Sequence, residues 1–139
     1  NTLKPGVTLM PLGHGSGMLG LPGDFTSPSR FVRATFYQTT APVLDTGFDT
    51  VVQAFHILNC FDIPIGTQHA RKDIPEGLPS ATQFTAVTDQ SSMKLYYRTA
   101  WNSNIRCIDL LHINFHNVKY QSHPLDTVQQ QPVEYVKIR

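Results

Sequence analysis

A glycine-rich run that passes directly into a helix start, residues 13–33, constrains the fold more than any other stretch of this chain. Glycine alone adopts left-handed and mirror-β conformations without steric cost, so the backbone here is expected to follow a path that a side chain would block. Ser27 as N-cap and Pro28 at the first helical position predict a helix over residues 29–37. The glycines of the run are Gly13, Gly15, Gly17, Gly20 and Gly23.

Arg30 is the residue of this helix that local rules disfavour. It falls in the first turn, where exposed N–H groups already carry partial positive charge, and a cation there costs up to about 1 kcal/mol. Residues that break a local rule are commonest at functional sites. On physical grounds alone, however, the favoured interpretation is that Arg30 extends its charged end to solvent or pairs with a carboxylate such as Asp24. Capping of the turn is the first role expected of Asp24. The predicted apolar stripe of the helix is Phe31, Val32, Thr35 and Phe36.

Length and composition indicate one domain, or part of one, over residues 1–139. A hydrophobic content of 40% with 15% charged residues is ordinary for a soluble globular chain. The net charge of +1 and the absence of a Lys/Arg-rich run predict no nucleic-acid partner. No apolar run approaches the ~18–20 residues that span a bilayer, and the first residues lack signal-peptide features, so no membrane association is expected.

A second helix is predicted after Thr46, which forms a capping-box-like start with Asp49 three residues on. Pro64 is expected to end it, since the residue before a proline avoids the helical region. Residues 66–80 then form the longest irregular stretch, a surface loop or the lining of a pocket mouth. The helix's buried face is expected to hold Phe48, Val51, Val52, Phe55 and Leu58.

Three strands in a meander are predicted next, over residues 82–88, 93–99 and 105–111. Strand patterns also occur in the tail, over residues 112–120 and 133–138. Helices followed by strands, without βαβ alternation, indicate an α+β fold in which two amphipathic helices cover an antiparallel sheet. The other face of such a sheet would be uncovered and sticky, so a partner chain, a self-dimer or a loose fold is expected.

Other motifs give weaker signals. Cys60 and Cys107 lack CxxC spacing and are expected to be buried free thiols, although sequence cannot decide whether they pair. His112, Asn114 and His116 would share one face of a strand, where two histidines could hold a metal, but a polar exposed face is favoured because no third ligand is evident. For Tyr96, Tyr97 and Trp101, cross-strand packing is favoured over a contact surface. Gly15, Gly17 and Gly20 have the spacing of a dinucleotide-binding loop, which is interpreted as chance. No metal ion and no cofactor are therefore predicted from these motifs.

Three blocks of the sequence, in order, resemble the choloylglycine hydrolase family, the bile-salt hydrolases and penicillin V acylases. The first block is LGLPGDFTSPSRFVRATF at residues 19–36, and the second is AFHILNCFDIPIG at residues 54–66. The third comprises TQFTAVTD at residues 82–89 and KLYYRTAWNSNIRCIDL at residues 94–110. Together they cover most of residues 9–115, which is far more specific than one short motif.

The resemblance implies the carboxy-terminal part of a four-layer αββα amidase with an amino-terminal nucleophile. In the family, an amino-terminal cysteine attacks an amide carbonyl and its own α-amino group serves as base. That cysteine is expected to lie outside these residues, which begin with Asn1, so the chain alone is expected to be inactive. The arginine of the family's SRF element matches Arg30, which implies a catalytic arginine beside the nucleophile. Arg33 is interpreted as structural or surface-exposed, with support of the site as the minority alternative.

Two functional hypotheses follow from this resemblance. In the first, the chain is a segment of a cysteine amidase that hydrolyses a linear amide, with a bile-acid conjugate, penicillin V or an acyl-homoserine lactone as substrate. The partner would then be the amino-terminal part of the same enzyme, or a self-dimer covering the exposed sheet face. In the second, the chain is a detached, non-catalytic binding or assembly module. The resemblance also suggests a periplasmic or other extracytoplasmic location, with the bacterial cytoplasm as the alternative.

Overall fold

The computed structural model describes residues 2–4, 7–8, 18–67 and 81–138. The chain divides into two compact units, Asn1–Pro42 and Val43–Arg139. In the first unit, β1 (Thr2–Lys4) pairs antiparallel with β2 (Val7–Thr8), and helix α1 follows at Ser27–Thr40. Residues 13–17 of the glycine run and most of the predicted 66–80 loop lie outside the described residues. Gly20 has a φ of 89°, as the glycine-rich pattern predicts for part of this run.

Helix α1 is present but differs from its predicted limits. Its N-cap is Thr26 rather than Ser27, which puts Pro28 at the second helical position, and the helix continues to Thr40. The predicted apolar stripe is wrong as the buried face: Phe31 is 72% exposed and Val32 is 41% exposed. The buried residues of the helix are instead Ser29 and Arg33. Polar contacts, described below, account for this inversion.

Helix α2 (Gly47–Asn59) begins the second unit and confirms the predicted capping. The Thr46 hydroxyl oxygen accepts a hydrogen bond from the Asp49 N–H at 3.0 Å and donates its proton to the Asp49 carboxylate at 2.6 Å. Val51 and Phe55 form its buried face, at 2% and 3% exposure. Phe48, which the spacing also assigns to that face, is 55% exposed because it lies in the first turn, beyond the main contact with the sheet.

The predicted meander is confirmed as an antiparallel sheet of β3 (Phe84–Asp89), β4 (Lys94–Thr99) and β5 (Arg106–Asp109). The register aligns Val87 with Tyr96 and Tyr96 with Cys107, so these residues share one face. Helix α2 packs on that face, where Val51, Phe55 and Tyr96 form the core against Val87. The fold class is therefore α+β, as predicted.

The tail covers part of the other face of the sheet. Tyr97 and Arg106 are paired in register on this face, and the Arg106 guanidinium lies 4.6 Å from the centre of the Tyr97 ring. Arg106 also forms an ion pair with Asp126 and donates to the Leu125 carbonyl oxygen at 3.0 Å. Phe84, on the same face, remains 59% exposed.

The two strands predicted in the tail are wrong. After β5, the Asp109 carboxylate accepts a hydrogen bond from the Leu111 N–H, and the chain turns into a short 3₁₀ helix at Leu110–His112. This local cap outweighs the alternating pattern of residues 112–120. Residues 133–138 have no regular secondary structure and pair with no strand among the residues that the structure describes.

Two further outcomes concern the cysteines and membranes. Cys60 and Cys107 are free, as expected, but both are exposed rather than buried, because Cys60 caps the end of α2 and Cys107 lies on the edge strand β5. Within residues 18–67 and 81–138, no helix has the length and apolar character needed to cross a membrane.

Candidate active site at the start of helix α1

Asp24 organises the turn that leads into α1. Its carboxylate accepts hydrogen bonds from the Thr26 N–H at 2.8 Å and from the Ser29 hydroxyl at 2.6 Å. These bonds, the one from Ser29 first and those from Thr26 next, lower the pKa of Asp24 to about 2. A carboxylate at a helix N-terminus also interacts favourably with the helix dipole. The capping role predicted for Asp24 is confirmed.

Arg33 lies on the inner side of the same turn and is only 4% exposed. Its Nη1 donates to the carbonyl oxygens of Pro22 at 2.7 Å and Asp24 at 2.8 Å. A buried guanidinium is tolerated only when its N–H groups are satisfied, and backbone carbonyls supply that here. The structural interpretation of Arg33 is confirmed, and the surface alternative is wrong.

Arg30, the predicted catalytic residue, is partly exposed one turn before Arg33. Its Nη1 donates to the Phe25 carbonyl oxygen at 2.7 Å, and its Nη2 lies 3.4 Å from the Ser27 hydroxyl oxygen. Within the described part of the chain, Arg30 forms no ion pair with Asp24, whose carboxylate is taken by Thr26 and Ser29. The guanidinium therefore has a fixed anchor on one nitrogen and a much weaker contact on the other.

This arrangement places a held but partly accessible cation at a helix N-terminus. The guanidinium favours a negative charge brought next to it. Arginine presents its donors in a rigid planar fork, so it can also orient that charge. The Arg30 guanidinium is therefore a cation that a carboxylate, thiolate or oxyanion can pair with.

His112, Asn114 and His116 are all exposed, as favoured, but they do not share a strand face because residues 112–116 are not a strand. His112 Nδ1 lies 3.2 Å from an Asp109 carboxylate oxygen, and the Asn114 side chain accepts from the His116 N–H. Among the described residues, no three His, Cys, Asp or Glu side chains are grouped as metal ligands. Tyr96 packs in the core with its ring centre 6.0 Å from that of Phe48, in line with the packing role preferred for the sheet's aromatics.

Sequence reasoning missed two arginines of the sheet. Arg98 donates to Asp62 at 2.8 Å and lies over the Phe55 ring at 5.6 Å, beside a cavity of about 240 Å³. Arg106 holds the tail and lines a wider, open cavity of about 750 Å³ with Tyr97. For Arg106 the available signal was the aromatic Tyr97 opposite it, which requires the strand register. Arg98 lies opposite Thr85, and its aromatic contact is with Phe55 of helix α2, which sequence alone does not give.

Comparison with known proteins identifies the class. A sequence model of the linear amide C–N hydrolases of the choloylglycine hydrolase family matches residues 2–128. The bile salt hydrolase/transferase of Lactiplantibacillus plantarum is 33% identical over 130 residues, which are 94% of this chain and 39% of that protein. The bile salt hydrolase/transferase of Clostridium perfringens is 33% identical over 103 residues, 74% of this chain and 30% of that protein.

Solved structures agree with these relatives. A cysteine-to-alanine mutant of the conjugated bile acid hydrolase of Clostridium perfringens matches with a TM-score of 0.68 and 28% identity, over 96% of this chain and 39% of that chain. Penicillin V acylase of Agrobacterium tumefaciens matches with a TM-score of 0.54 and 24% identity, over 67% of this chain and 28% of that chain, which shows the fold alone.

The α+β fold and the matches together define a chain of the linear amide hydrolase class. More narrowly, the chain belongs to the choloylglycine hydrolase family, as the resemblance of its three sequence blocks indicates. It spans about two fifths of the length of the Lactiplantibacillus plantarum relative and of the solved Clostridium perfringens enzyme.

Proposed function

We propose that this chain is the arginine-bearing segment of a cysteine amidase, and that a separate amino-terminal part supplies the nucleophilic cysteine. The observation that carries the proposal is the anchored guanidinium of Arg30 at the start of α1, in the sequence block that resembles the family. This chain covers 39% of the Lactiplantibacillus plantarum relative and 39% of the solved Clostridium perfringens enzyme. This partial coverage supports the proposal that the nucleophile lies in another part.

In the proposed reaction, the cysteine thiolate attacks the amide carbonyl carbon while its own α-amino group relays the proton. The C–N bond then breaks, the amine leaves with that proton, and an acyl thioester remains. Water attacks the thioester, which releases the carboxylic acid and returns the thiol. Arg30 acts by charge: a guanidinium beside the thiol favours the thiolate and lowers its pKa.

The proposed substrate is a conjugated bile salt, in which an amide joins the steroid acid to glycine or taurine. The names of two relatives, each 33% identical to this chain, support this choice. Penicillin V is kept as the second substrate to test, since the acylase of Agrobacterium tumefaciens shares the fold.

The partner is proposed to be the amino-terminal part of the same enzyme, with a self-dimer as the alternative. On the sheet face away from α2, Phe84 is 59% exposed, and in the first unit Phe31 is 72% exposed. Burial of such side chains is worth about 1.5–3 kcal/mol each, which favours a covering chain.

The test is amide hydrolysis by the complete enzyme that carries this chain. Intact mass and amino-terminal sequencing of every co-purifying polypeptide identify whether one begins with cysteine. Release of glycine or taurine from bile salts, and of phenoxyacetate from penicillin V, is then compared for the wild type, Arg30→Ala and Gln38→Ala. Gln38 is an exposed residue of the same helix and serves as the matched control.

We expect Arg30→Ala to lower kcat by about 100-fold or more, because a preorganised donor is lost from the reacting site. Gln38→Ala should keep the wild-type rate. If this chain together with a cysteine-starting amino-terminal part hydrolyses neither substrate, the amidase proposal is contradicted and the detached module is favoured.

A further inference from the structure

The turn before α1 directs three of its carbonyl groups at two arginines of one helix. Arg33 takes the carbonyl oxygens of Pro22 and Asp24, at 2.7 and 2.8 Å, while Arg30 takes that of Phe25, at 2.7 Å. Two guanidinium groups three residues apart therefore hold one short loop from the same helix side. Only the outer one, Arg30, is partly exposed.

The cost of burying Arg33 calls for an explanation beyond helix packing. A guanidinium at 4% exposure has lost most of its hydration, and an apolar residue of similar volume often fills such a place as well or better. On the same helix, Phe31 is 72% exposed. Residues whose placement is locally unfavourable are commonest at functional sites.

What Arg33 holds is the backbone that anchors Arg30. The peptide group between Asp24 and Phe25 is planar, so a hydrogen bond to the Asp24 carbonyl oxygen also restrains the nitrogen and Cα of Phe25. The direction of the Phe25 carbonyl is restricted in turn, and that carbonyl is the strongest acceptor of the Arg30 guanidinium. The Asp24 carboxylate restrains the same turn from the other side through Ser29.

We propose that Arg33 is a positioning residue for amide hydrolysis: its bonds to the Pro22 and Asp24 carbonyl oxygens fix the turn whose Phe25 carbonyl aims Arg30 at the reacting group. This inference rests on the proposed function, since Arg30 must act on the nucleophile for its direction to matter. In this proposal Arg33 acts on the reaction through Arg30, without contact of its own with the reacting group.

The test is a double-mutant cycle in the complete enzyme, with kcat, KM and the pH dependence of kcat/KM measured for each variant. The variants are Arg33→Lys, Arg30→Ala and the two combined. Lysine keeps the charge, but its ammonium rotates freely, whereas the planar guanidinium fixes the directions of the two N–H bonds that Nη1 donates to the two carbonyls. We expect Arg33→Lys to lower kcat by about 10-fold to 100-fold, the loss that a misplacement of about 1 Å produces, with KM changed less than about twofold.

Two readouts separate positioning from a purely structural role. The acid limb of the pH profile should move to higher pH in Arg33→Lys, in the same direction as in Arg30→Ala, because in both the thiolate loses its aimed cation. In the Arg30→Ala background, Arg33→Lys should change kcat no further. Val51→Ala is the control for lost stability: it opens a cavity in the second unit, at a residue 2% exposed, and should leave the acid limb in place.

The outcomes distinguish the two proposals. Equal losses of kcat from Arg33→Lys with and without Arg30 would overturn the positioning role while leaving that of Arg30 intact. An Arg33→Lys enzyme with the wild-type kcat and acid limb would do the same. If Arg30→Ala keeps the wild-type kcat, the proposed function of Arg30 is wrong, and the positioning role is overturned with it.

Discussion

Phe55→Ala should destabilise the second unit more than any other single truncation on helix α2. Phe55 is 3% exposed, and it packs in a core that, among the described residues, has only Val51 and Tyr96 as other buried hydrophobic members. The Arg98 guanidinium also lies 5.6 Å from the centre of its ring. Each of these contacts is lost in alanine, and so small a core has few side chains to refill the space.

The magnitude follows from burial and contact type. Truncation of a buried phenylalanine to alanine costs about 3–5 kcal/mol, because transfer free energy is lost and a cavity remains. Loss of the cation–π contact adds about 0.5–1 kcal/mol. Natural domains have a total stability of about 5–15 kcal/mol, so the variant should lie near the limit of folding.

Phe48→Ala is the matched control, because it makes the same substitution on the same helix. Phe48 is 55% exposed, and its ring centre lies 6.0 Å from that of Tyr96, so about 1 kcal/mol should be lost. Urea unfolding followed by far-UV circular dichroism gives both free energies of unfolding from the midpoint and slope. Equal costs for the two variants, or a greater cost for Phe48→Ala, would refute the assignment of the core to the Val51–Phe55 side of the helix.

Three further predictions concern exposed or tethering groups. The pKa of Asp24 is lowered from 3.8 to about 2, so its carboxylate stabilises the start of α1 above about pH 4 and this stabilisation is lost as pH falls toward 2. The helix content measured by circular dichroism should fall over the same pH range. The same pH dependence in Asp24→Asn would contradict this prediction. Asp126→Asn removes the ion pair with Arg106, so limited proteolysis should cut residues 124–132 faster than in the wild type, and equal cleavage rates would count against tethering. Cys60 and Cys107 are exposed, so both should react with a thiol reagent in the folded protein, and protection of either would contradict its exposure.

The helices and the meander could be predicted because their signals are local. Thr46 and Asp49 cap α2 through bonds three residues apart, and the period-two alternation of β3 and β4 needs no knowledge of distant residues. The limits of α1 were harder, since the capping carboxylate of Asp24 lies two residues before the N-cap Thr26. The Ser27–Pro28 pair therefore predicts the N-cap one residue too late.

The tail shows where local reasoning fails. Alternation alone favoured a strand over residues 112–120, but the Asp109 carboxylate caps the Leu111 N–H and starts a 3₁₀ turn. Whether an alternating segment becomes a strand depends on a free sheet edge to pair with, and that depends on the whole fold. The docking of Asp126 on Arg106 is equally non-local, since 20 residues separate the two.

The candidate site is the clearest case of what sequence cannot separate. Arg30 and Arg33 are the same residue type three positions apart on one helix, and the helix dipole disfavours a cation at its start, whichever arginine carries it. The structure assigns them different surroundings: Arg33 is buried against two carbonyls, whereas Arg30 is partly exposed and anchored on one. A buried, satisfied guanidinium can restrain a loop but cannot meet a group outside it, and a partly exposed one can do both. The loop carbonyls and the ionised Asp24 offset the unfavourable dipole, which allows the two guanidinium groups to be held near the helix start.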